Sequence, residues 1–88
     1  MELVLYRCDE RAYHTKGGIV HKTPTSMVFR TVLGIDIRVE VTRSGNELDQ
    51  YFDQGVPARV RVFQGQELLV ENGYLLRPTD SIFLVIYT

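Results

Sequence analysis

A strict alternation of apolar and polar residues in the middle of the chain constrains the fold more than any other feature. Four aliphatic residues are each followed by one polar residue: Ile35, Ile37, Val39 and Val41 alternate with Asp36, Arg38, Glu40 and Thr42. Residues two apart point to the same face of a β-strand, whereas a helix would distribute this pattern around its axis. The segment therefore predicts a strand with one face in a core and the other in water.

Other segments extend the strand prediction along much of the chain. A second half-buried strand is predicted where Ala58, Val60 and Val62 alternate with Arg59 and Arg61. Residues 82–87 are apolar at every position, which is typical of a central strand covered on both faces. Two less regular candidates span residues 3–8 and 27–33.

Glycines between these segments predict the turns. Gly34 and Gly65 each separate two apolar segments, which favours tight hairpins. Gly17-Gly18 predicts the turn of a leading hairpin that joins residues 3–13 to residues 19–21. Asn72-Gly73 predicts the end of a short strand.

One stretch has helical spacing instead. Leu48, Tyr51 and Phe52 fall at i, i+3 and i+4 and form a single apolar stripe. Ser44 and Glu47 have the spacing of a capping box, and Gly55 followed by Val56-Pro57 supplies a stop. The sequence predicts one short helix at about residues 46–54.

Length and cysteine content set the class of protein. With 88 residues the chain can bury one core, so we expect a single domain over residues 1–88. Cys8 is the one cysteine, which excludes an internal disulfide and a four-cysteine zinc site and favours a reducing cytoplasmic setting. No apolar run approaches the roughly 18–20 residues of a membrane span, so we expect no membrane partner.

The order of predicted elements from residue 27 onward is strand, glycine turn, strand, helix, strand, short strand, loop, strand. Within it, residues 59–68 resemble the strand, glycine turn and short strand of ubiquitin-like proteins. Residues 76–85 resemble the closing stretch of that family, where a leucine and a polar turn precede the last central strand. Over residues 27–88 the chain thus resembles the β-grasp, or ubiquitin-like, superfamily.

This resemblance implies an α+β fold: a β-grasp mixed sheet with one short helix, to which residues 1–26 add an extra N-terminal β-hairpin. It also implies a docking surface, because partners of the family usually bind the exposed sheet face. The chain ends in Ile86-Tyr87-Thr88, without the terminal Gly-Gly that conjugation and sulfur transfer need. The resemblance therefore implies binding and not transfer chemistry.

Residues that could carry chemistry are few. His14 and His21 flank the Gly17-Gly18 pair and, with Asp9 or Glu10, could offer metal ligands. Cys8 could act as a nucleophile beside a histidine. Such residues are more often solvent-facing histidines and a small buried thiol, so we predict no catalytic residue, no metal and no cofactor.

Arginine usage is the unusual feature, with 8 Arg against 2 Lys. A guanidinium makes planar, bidentate and stacking contacts that an ammonium does not make. The predicted partner-binding residues combine outward arginines with aromatic side chains: Arg30, Arg38, Arg59, Arg61, Phe63 and Tyr87. The competing interpretation is cross-strand ion pairing of these arginines with Asp36, Glu40 and Glu67.

The sequence thus predicts a non-catalytic protein–protein interaction module, an accessory subunit or a viral or phage-type inhibitor. It would dock on another protein through the sheet face or an edge strand, and a homodimer is a further option. The alternative is a small β-domain that binds nucleic acid through Arg38, Arg59, Arg61 and exposed aromatics.

Overall fold

Seven strands and one short helix make up the fold in a computed structural model that describes residues 1–7, 10–43 and 45–87. Within these ranges the side chains of residues 78, 84, 86 and 87 are not described. The elements in chain order are β1 (Glu2–Arg7), β2 (Glu10–Lys22), β3 (Ser26–Thr31), β4 (Asp36–Val41), α1 (Glu47–Gln54), β5 (Ala58–Gln64), β6 (Glu67–Thr79) and β7 (Ile82–Tyr87).

The strands follow one another around the sheet in chain order, and the sheet closes into a barrel. Every pair of consecutive strands is antiparallel. β1 and β7 pair in parallel, with Glu2 beside Ile82 and Arg7 beside Tyr87. In an up-and-down sheet with an odd number of strands, the last strand runs in the same direction as the first. The pairing of β7 with β1 that closes the sheet is therefore parallel.

The period-two pattern separates the inside of the barrel from the outside. Ile37, Val39 and Val41 of the predicted strand are buried, and the polar residues between them lie outside or at the rim, so this prediction is confirmed. Ile35 precedes β4, lies in a turn and is exposed. The other strands contribute the rest of the barrel core: Leu3, Leu5, Met27, Phe29, Ala58, Val60, Val62, Val70, Leu75, Phe83 and Val85.

The helix covers the end of the barrel at which β4 ends and β5 begins. Leu48 and Tyr51 are fully buried in the core, as their spacing predicts. The Leu48 N–H donates to the carbonyl of Pro24, and the Tyr51 hydroxyl donates to the carbonyl of Leu76. Burial raises the pKa of Tyr51, and the nearby Arg77 charge partly opposes that shift.

Arg77 holds the helix from the side of β6. Its guanidinium donates to the carbonyl of Phe52 and, at 2.8 Å, to Asp80. It also lies 5.5 Å from the centre of the Phe52 ring and 5.9 Å from that of Tyr51. Phe83 of β7 packs against both rings from within the barrel. The helix is therefore fixed by β6 and β7 together.

The predicted C-terminal end of the helix is confirmed, whereas the predicted capping box is wrong, because Asn46 is the N-cap and Glu47 is the first helical residue. The helix runs from Glu47 to Gln54, and Gly55 ends it in the left-handed conformation with φ of 70°, its N–H bonded to the carbonyl of Tyr51. Asn46 stands at the N-cap and makes no side-chain cap. Ser44, the predicted capping residue, lies outside the described residues.

The predicted α+β β-grasp fold is wrong, because the chain is mostly β and its sheet is a closed seven-stranded one. β4 lies between β3 and β5, and β7 lies between β6 and β1, so the neighbours are those of a meander. β1 and β2 are full members of the sheet and not an added hairpin. The order of elements along a chain does not specify which strands pair, and the same order fits both folds.

Two glycine signals contributed to this error. The Gly34 and Gly65 turns are confirmed, with φ of 82° and 61°. In contrast, Gly17-Gly18 lies inside β2 and Asn72-Gly73 lies inside β6, each within a 13-residue strand. β1 and β2 instead pair with Arg7 beside Glu10, and residues 8 and 9 lie outside the described ones.

Gly17 is required by a close backbone approach. β2 pairs with β1 up to Lys16 and with β3 from Gly17 onward, so the strand changes partner at this point. A Cβ at Gly17 would lie 2.0 Å from the carbonyl oxygen of Arg30, whereas a Cβ at Gly18 would meet nothing within 4 Å. The two adjacent glycines therefore differ: the backbone of β3 leaves no room for a side chain at Gly17, whereas Gly18 has room for one.

We predict that Gly17→Ala lowers the free energy of unfolding by on the order of 3 kcal/mol, because the new methyl group must displace the backbone of β3. Gly18→Ala is the matched control and should change it by less than about 1 kcal/mol. Urea denaturation followed by circular dichroism measures both. Equal stability of the two variants would contradict the pairing of β2 with β3 at this position.

Candidate functional site

Four predicted arginines and Phe63 lie on the outside of three neighbouring strands. Arg30 is on β3, Arg38 is on β4, and Arg59, Arg61 and Phe63 are on β5. We call the outer surface of β3, β4, β5 and β6 the arginine face. Had the strand order been that of a β-grasp, Arg38 would not have lain beside Arg59 and Arg61. The antiparallel pairing of β4 with β5 makes these strands neighbours and brings these residues together.

An apolar row, made of Val28, Phe63 and Leu68 with Arg38 between the first two, crosses the middle of the arginine face. In the register of the sheet, Val28 lies beside Arg38, Arg38 beside Phe63, and Phe63 beside Leu68. The guanidinium of Arg38 stands 4.7 Å from the centre of the Phe63 ring, which is a cation–π contact. Leu68 is exposed, and Val28 and Phe63 are half-buried. Aliphatic and aromatic surface is thus open to solvent along this row.

An ion pair borders the row on the side of the β3–β4 turn. Arg30 donates twice to Asp36, Nε to Oδ1 at 2.8 Å and Nη2 to Oδ2 at 3.2 Å. This bidentate hydrogen bonding holds the pKa of the Asp36 carboxyl below its ordinary value and raises the pKa of Arg30. Both side chains are exposed, so the pair adds little to stability.

Charged residues also border the row on its other side. Glu40 accepts from Nε of Arg38 at 3.0 Å, and its second oxygen lies 4.0 Å from Arg61. Arg59 donates to the Tyr74 hydroxyl at 2.8 Å and lies 5.0 Å from the centre of that ring. Cross-strand ion pairing is confirmed for Asp36 with Arg30 and, at 4.0 Å, for Glu40 with Arg61; the closer Glu40–Arg38 pair lies within β4, and among the described residues Glu67 makes no ion pair.

The β3–β4 turn carries the most exposed large apolar side chains on the described surface. Val32 is 76% exposed and Leu33 is 84% exposed. The turn itself is held by its neighbours, because the Gly34 N–H donates to the carbonyl of Thr31 and the Ile35 N–H donates to the Thr31 hydroxyl. We call Val32 and Leu33 the apolar tip.

Two open grooves flank the apolar row. The first, of about 600 Å³, adjoins the apolar tip and is lined by Val28, Gly34, Ile35, Asp36, Arg38, Gln64 and Gly65. The second, of about 580 Å³, lies at the opposite end of the face and is lined by Thr42, Arg59, Arg61, Glu71 and Asn72. The arginine face therefore has an apolar end and a polar end.

The other candidates are not brought together. His14 on β2 lies 2.7 Å from Glu2 of β1, whereas His21 lies beside Val28 of β3. Among residues 1–7, 10–43 and 45–87, no three His, Cys, Asp or Glu side chains lie close enough to share a metal ion. Cys8 and Asp9 lie outside the described residues, as does the side chain of Tyr87.

The sequence predicts Phe63 of the row, but it did not indicate the apolar tip, Val28 and Leu68 of the row, or Tyr74. Residues 27–33 were predicted as one strand, so Val32 and Leu33 were assigned to it and not to the turn. A signal was present, because turns favour Gly, Asn, Asp, Pro and Ser, and two aliphatic residues directly before the turn glycine Gly34 depart from that preference.

Comparison of the chain with models of protein families, with curated proteins and with solved structures finds no match. In the part of the chain that the structure describes, no helix has the length and apolar character needed to cross a membrane.

We predict that Arg30→Gln raises the pKa of Asp36 toward its ordinary value, because the hydrogen bonds that favour the carboxylate are lost. Since the folded pKa is depressed, the pair stabilises the protein above the unfolded pKa of about 3.9 and loses its effect as the pH falls through the folded pKa. NMR titration of the Asp36 carboxyl carbon measures the shift. Arg61→Gln is the control and should leave the Asp36 pKa unchanged; an Asp36 pKa that is unaffected by Arg30→Gln would contradict the pairing.

Proposed function

We propose that the protein is a non-catalytic protein-binding module that docks through the arginine face, with the apolar tip as its anchor. The observation that carries the proposal is the arrangement of the face, in which an apolar row lies between charged residues and the apolar tip stands at one end. Protein interfaces have the same plan, with an apolar and aromatic centre and a polar rim. Arginine and aromatic side chains are also frequent anchors of binding energy.

The apolar tip supports this proposal independently of the arginines. At 76% and 84% exposure, Val32 and Leu33 contribute little to the core, and Thr31 and Gly34 hold the turn without them. Burying one such side chain against a partner is worth roughly 1.5–3 kcal/mol. Aliphatic side chains at these positions are therefore better explained by association than by folding.

The closed sheet favours docking on the face over strand addition. Each of the seven strands pairs with two neighbours over part of its length, and residues 10–16 of β2 and 67–72 of β6 pair on one side only, so a partner strand finds shorter free edges than on an open sheet. Such a face would serve either an accessory subunit or an inhibitor, and the proposal includes both roles.

Nucleic-acid binding is the competing proposal, because Arg38 with Phe63 and Arg59 with Tyr74 are cation–aromatic pairs. Two features favour a protein partner. Asp36 and Glu40 lie between the arginines and would repel a continuous row of phosphates. Each aromatic ring also has a guanidinium over one of its faces, which leaves less ring surface for stacking on a base.

Affinity purification from the source cells tests the proposal, with Val32→Ser/Leu33→Ser as the variant and Val20→Ser/Val56→Ser as the matched control. Val20 and Val56 are also exposed aliphatic residues, 49% and 43%, but they lie outside the arginine face. We expect at least one protein to co-purify with the wild type and the control and to fall about tenfold or more with the tip variant, since about 1.4 kcal/mol is lost per factor of ten.

Recovery of the same proteins in equal amounts by the tip variant would contradict docking through the tip. If the co-purifying proteins are lost after nuclease treatment, their association depends on nucleic acid. That result would favour the competing nucleic-acid proposal. Denaturation of the purified variants serves as the folding control, and both should remain as stable as the wild type within about 0.5 kcal/mol.

A further inference from the structure

The apolar tip and an open groove lie side by side at the same end of the arginine face. Gly34 and Ile35 directly follow the tip in the chain, and both line the groove of about 600 Å³. Val28 adds a second aliphatic side chain to this groove, and Ile35 remains 37% exposed there. We call it the tip groove. An apolar projection thus stands next to a concave surface that is partly apolar.

The charged groups around the tip groove are already paired within the chain. Asp36 accepts two hydrogen bonds from Arg30, and Glu40 lies 3.0 Å from Nε of Arg38. The charges of these four side chains cancel in pairs, and the chain as a whole has a formal net charge of −1. Two identical faces can therefore approach each other at this end without like-charge repulsion from these groups.

Two charges of opposite sign stand farther out, one on each side of the tip and its groove. Lys16 of β2 lies beside the tip, because its carbonyl accepts the Val32 N–H at 2.9 Å. Glu67 of β6 lies beyond the groove, because it pairs in the sheet with Gln64, which lines the groove. Both residues are exposed.

Their neighbours in the sheet do not neutralise these two charges. Glu2 lies beside Lys16 in the register, but its Oε1 atom is 2.7 Å from Nε2 of His14. Among the described residues, neither Lys16 nor Glu67 forms an ion pair. Each can therefore pair with a charge on another molecule.

Across this end of the face, the order is cation, apolar projection, groove and anion. A two-fold axis between the tip and the tip groove exchanges the first feature with the fourth and the second with the third. The surface is thus complementary to a second copy of itself in both shape and charge. Self-complementarity of one patch is what a two-fold symmetric interface requires.

We propose that the chain forms a two-fold symmetric dimer in which the apolar tip of each copy packs in the tip groove of the other, with Lys16 paired to Glu67 across the interface. The tip of one copy then lies against Val28 and Ile35 of the second copy. This inference rests on the proposed function and specifies the partner as a second copy of the chain. The contact is small, so we expect reversible association.

Sedimentation equilibrium of the purified chain at about 10 µM to 1 mM tests the inference. We expect the average mass to rise with concentration from the 10.1 kDa of one chain toward twice that value and no further. Val32→Ser/Leu33→Ser should weaken the dimer about tenfold or more, because the apolar side chains that it buries are lost. Val20→Ser/Val56→Ser is again the control and should change the Kd by less than twofold.

Charge reversal tests how the two copies are arranged. Lys16→Glu alone and Glu67→Lys alone each place like charges at both symmetric contacts, so each variant should dimerise about tenfold more weakly than the wild type. An equimolar mixture of the two variants has opposite charges at both contacts and should associate as tightly as the wild type. Glu71→Lys is the matched control, because Glu71 is an exposed carboxylate of the same strand at the polar end, and it should change the Kd by less than twofold.

A chain that keeps the mass of one copy up to about 1 mM would overturn the inference. So would an unchanged dimer in Val32→Ser/Leu33→Ser, or a mixture of the charge variants that associates no better than either alone. A mass that rises beyond two copies would indicate an open assembly and would contradict the two-fold arrangement.

The inference can fail while the proposed function stands. If the purified chain is monomeric but the tip variant still loses a partner from cells, the tip binds a different protein. If neither self-association nor recovery from cells depends on the tip, both the inference and the proposed function are wrong.

Discussion

The parallel pairing of β1 with β7 is the contact on which the rest of the structure depends, because it closes the sheet. Without it, Leu3 and Leu5 on one side and Phe83 and Val85 on the other would lie on edge strands with incomplete cover. Phe83 also packs against Tyr51 and so contributes to the position of the helix over the end of the barrel. Sheet closure, core packing and helix placement are thus one connected set of contacts.

The chain-order pairing of the strands creates the arginine face. Because β4 pairs with β5, Arg38, Phe63 and Arg61 lie side by side. The inward residues of these strands fill the core. The outward side chains do not contribute to the core, so their composition can differ from that of an ordinary solvated surface. Here they combine paired charges, an apolar row and an apolar tip, which is the composition that association requires.

Local features were predictable from the sequence and long-range pairing was not. The alternation through Val39, the turns at Gly34 and Gly65 and the short helix are specified by neighbours within a few residues, and these predictions are confirmed. Gly17 has the same local signature as a turn glycine, yet it is needed because β3 approaches it, a contact between residues far apart in the chain. Composition and alternation indicated the arginines, whereas their adjacency depends on a strand order that local sequence patterns do not specify.

β1 and β7 close the sheet, and β4 and β5 lie side by side within it. Backbone nuclear Overhauser contacts measure both pairings in one NMR experiment. We expect contacts between the backbone protons of Leu5 and Val85 and between those of Arg38 and Phe63. A spectrum in which β1 contacts β2 but not β7, or in which Arg38 pairs with a strand other than β5, would contradict these pairings.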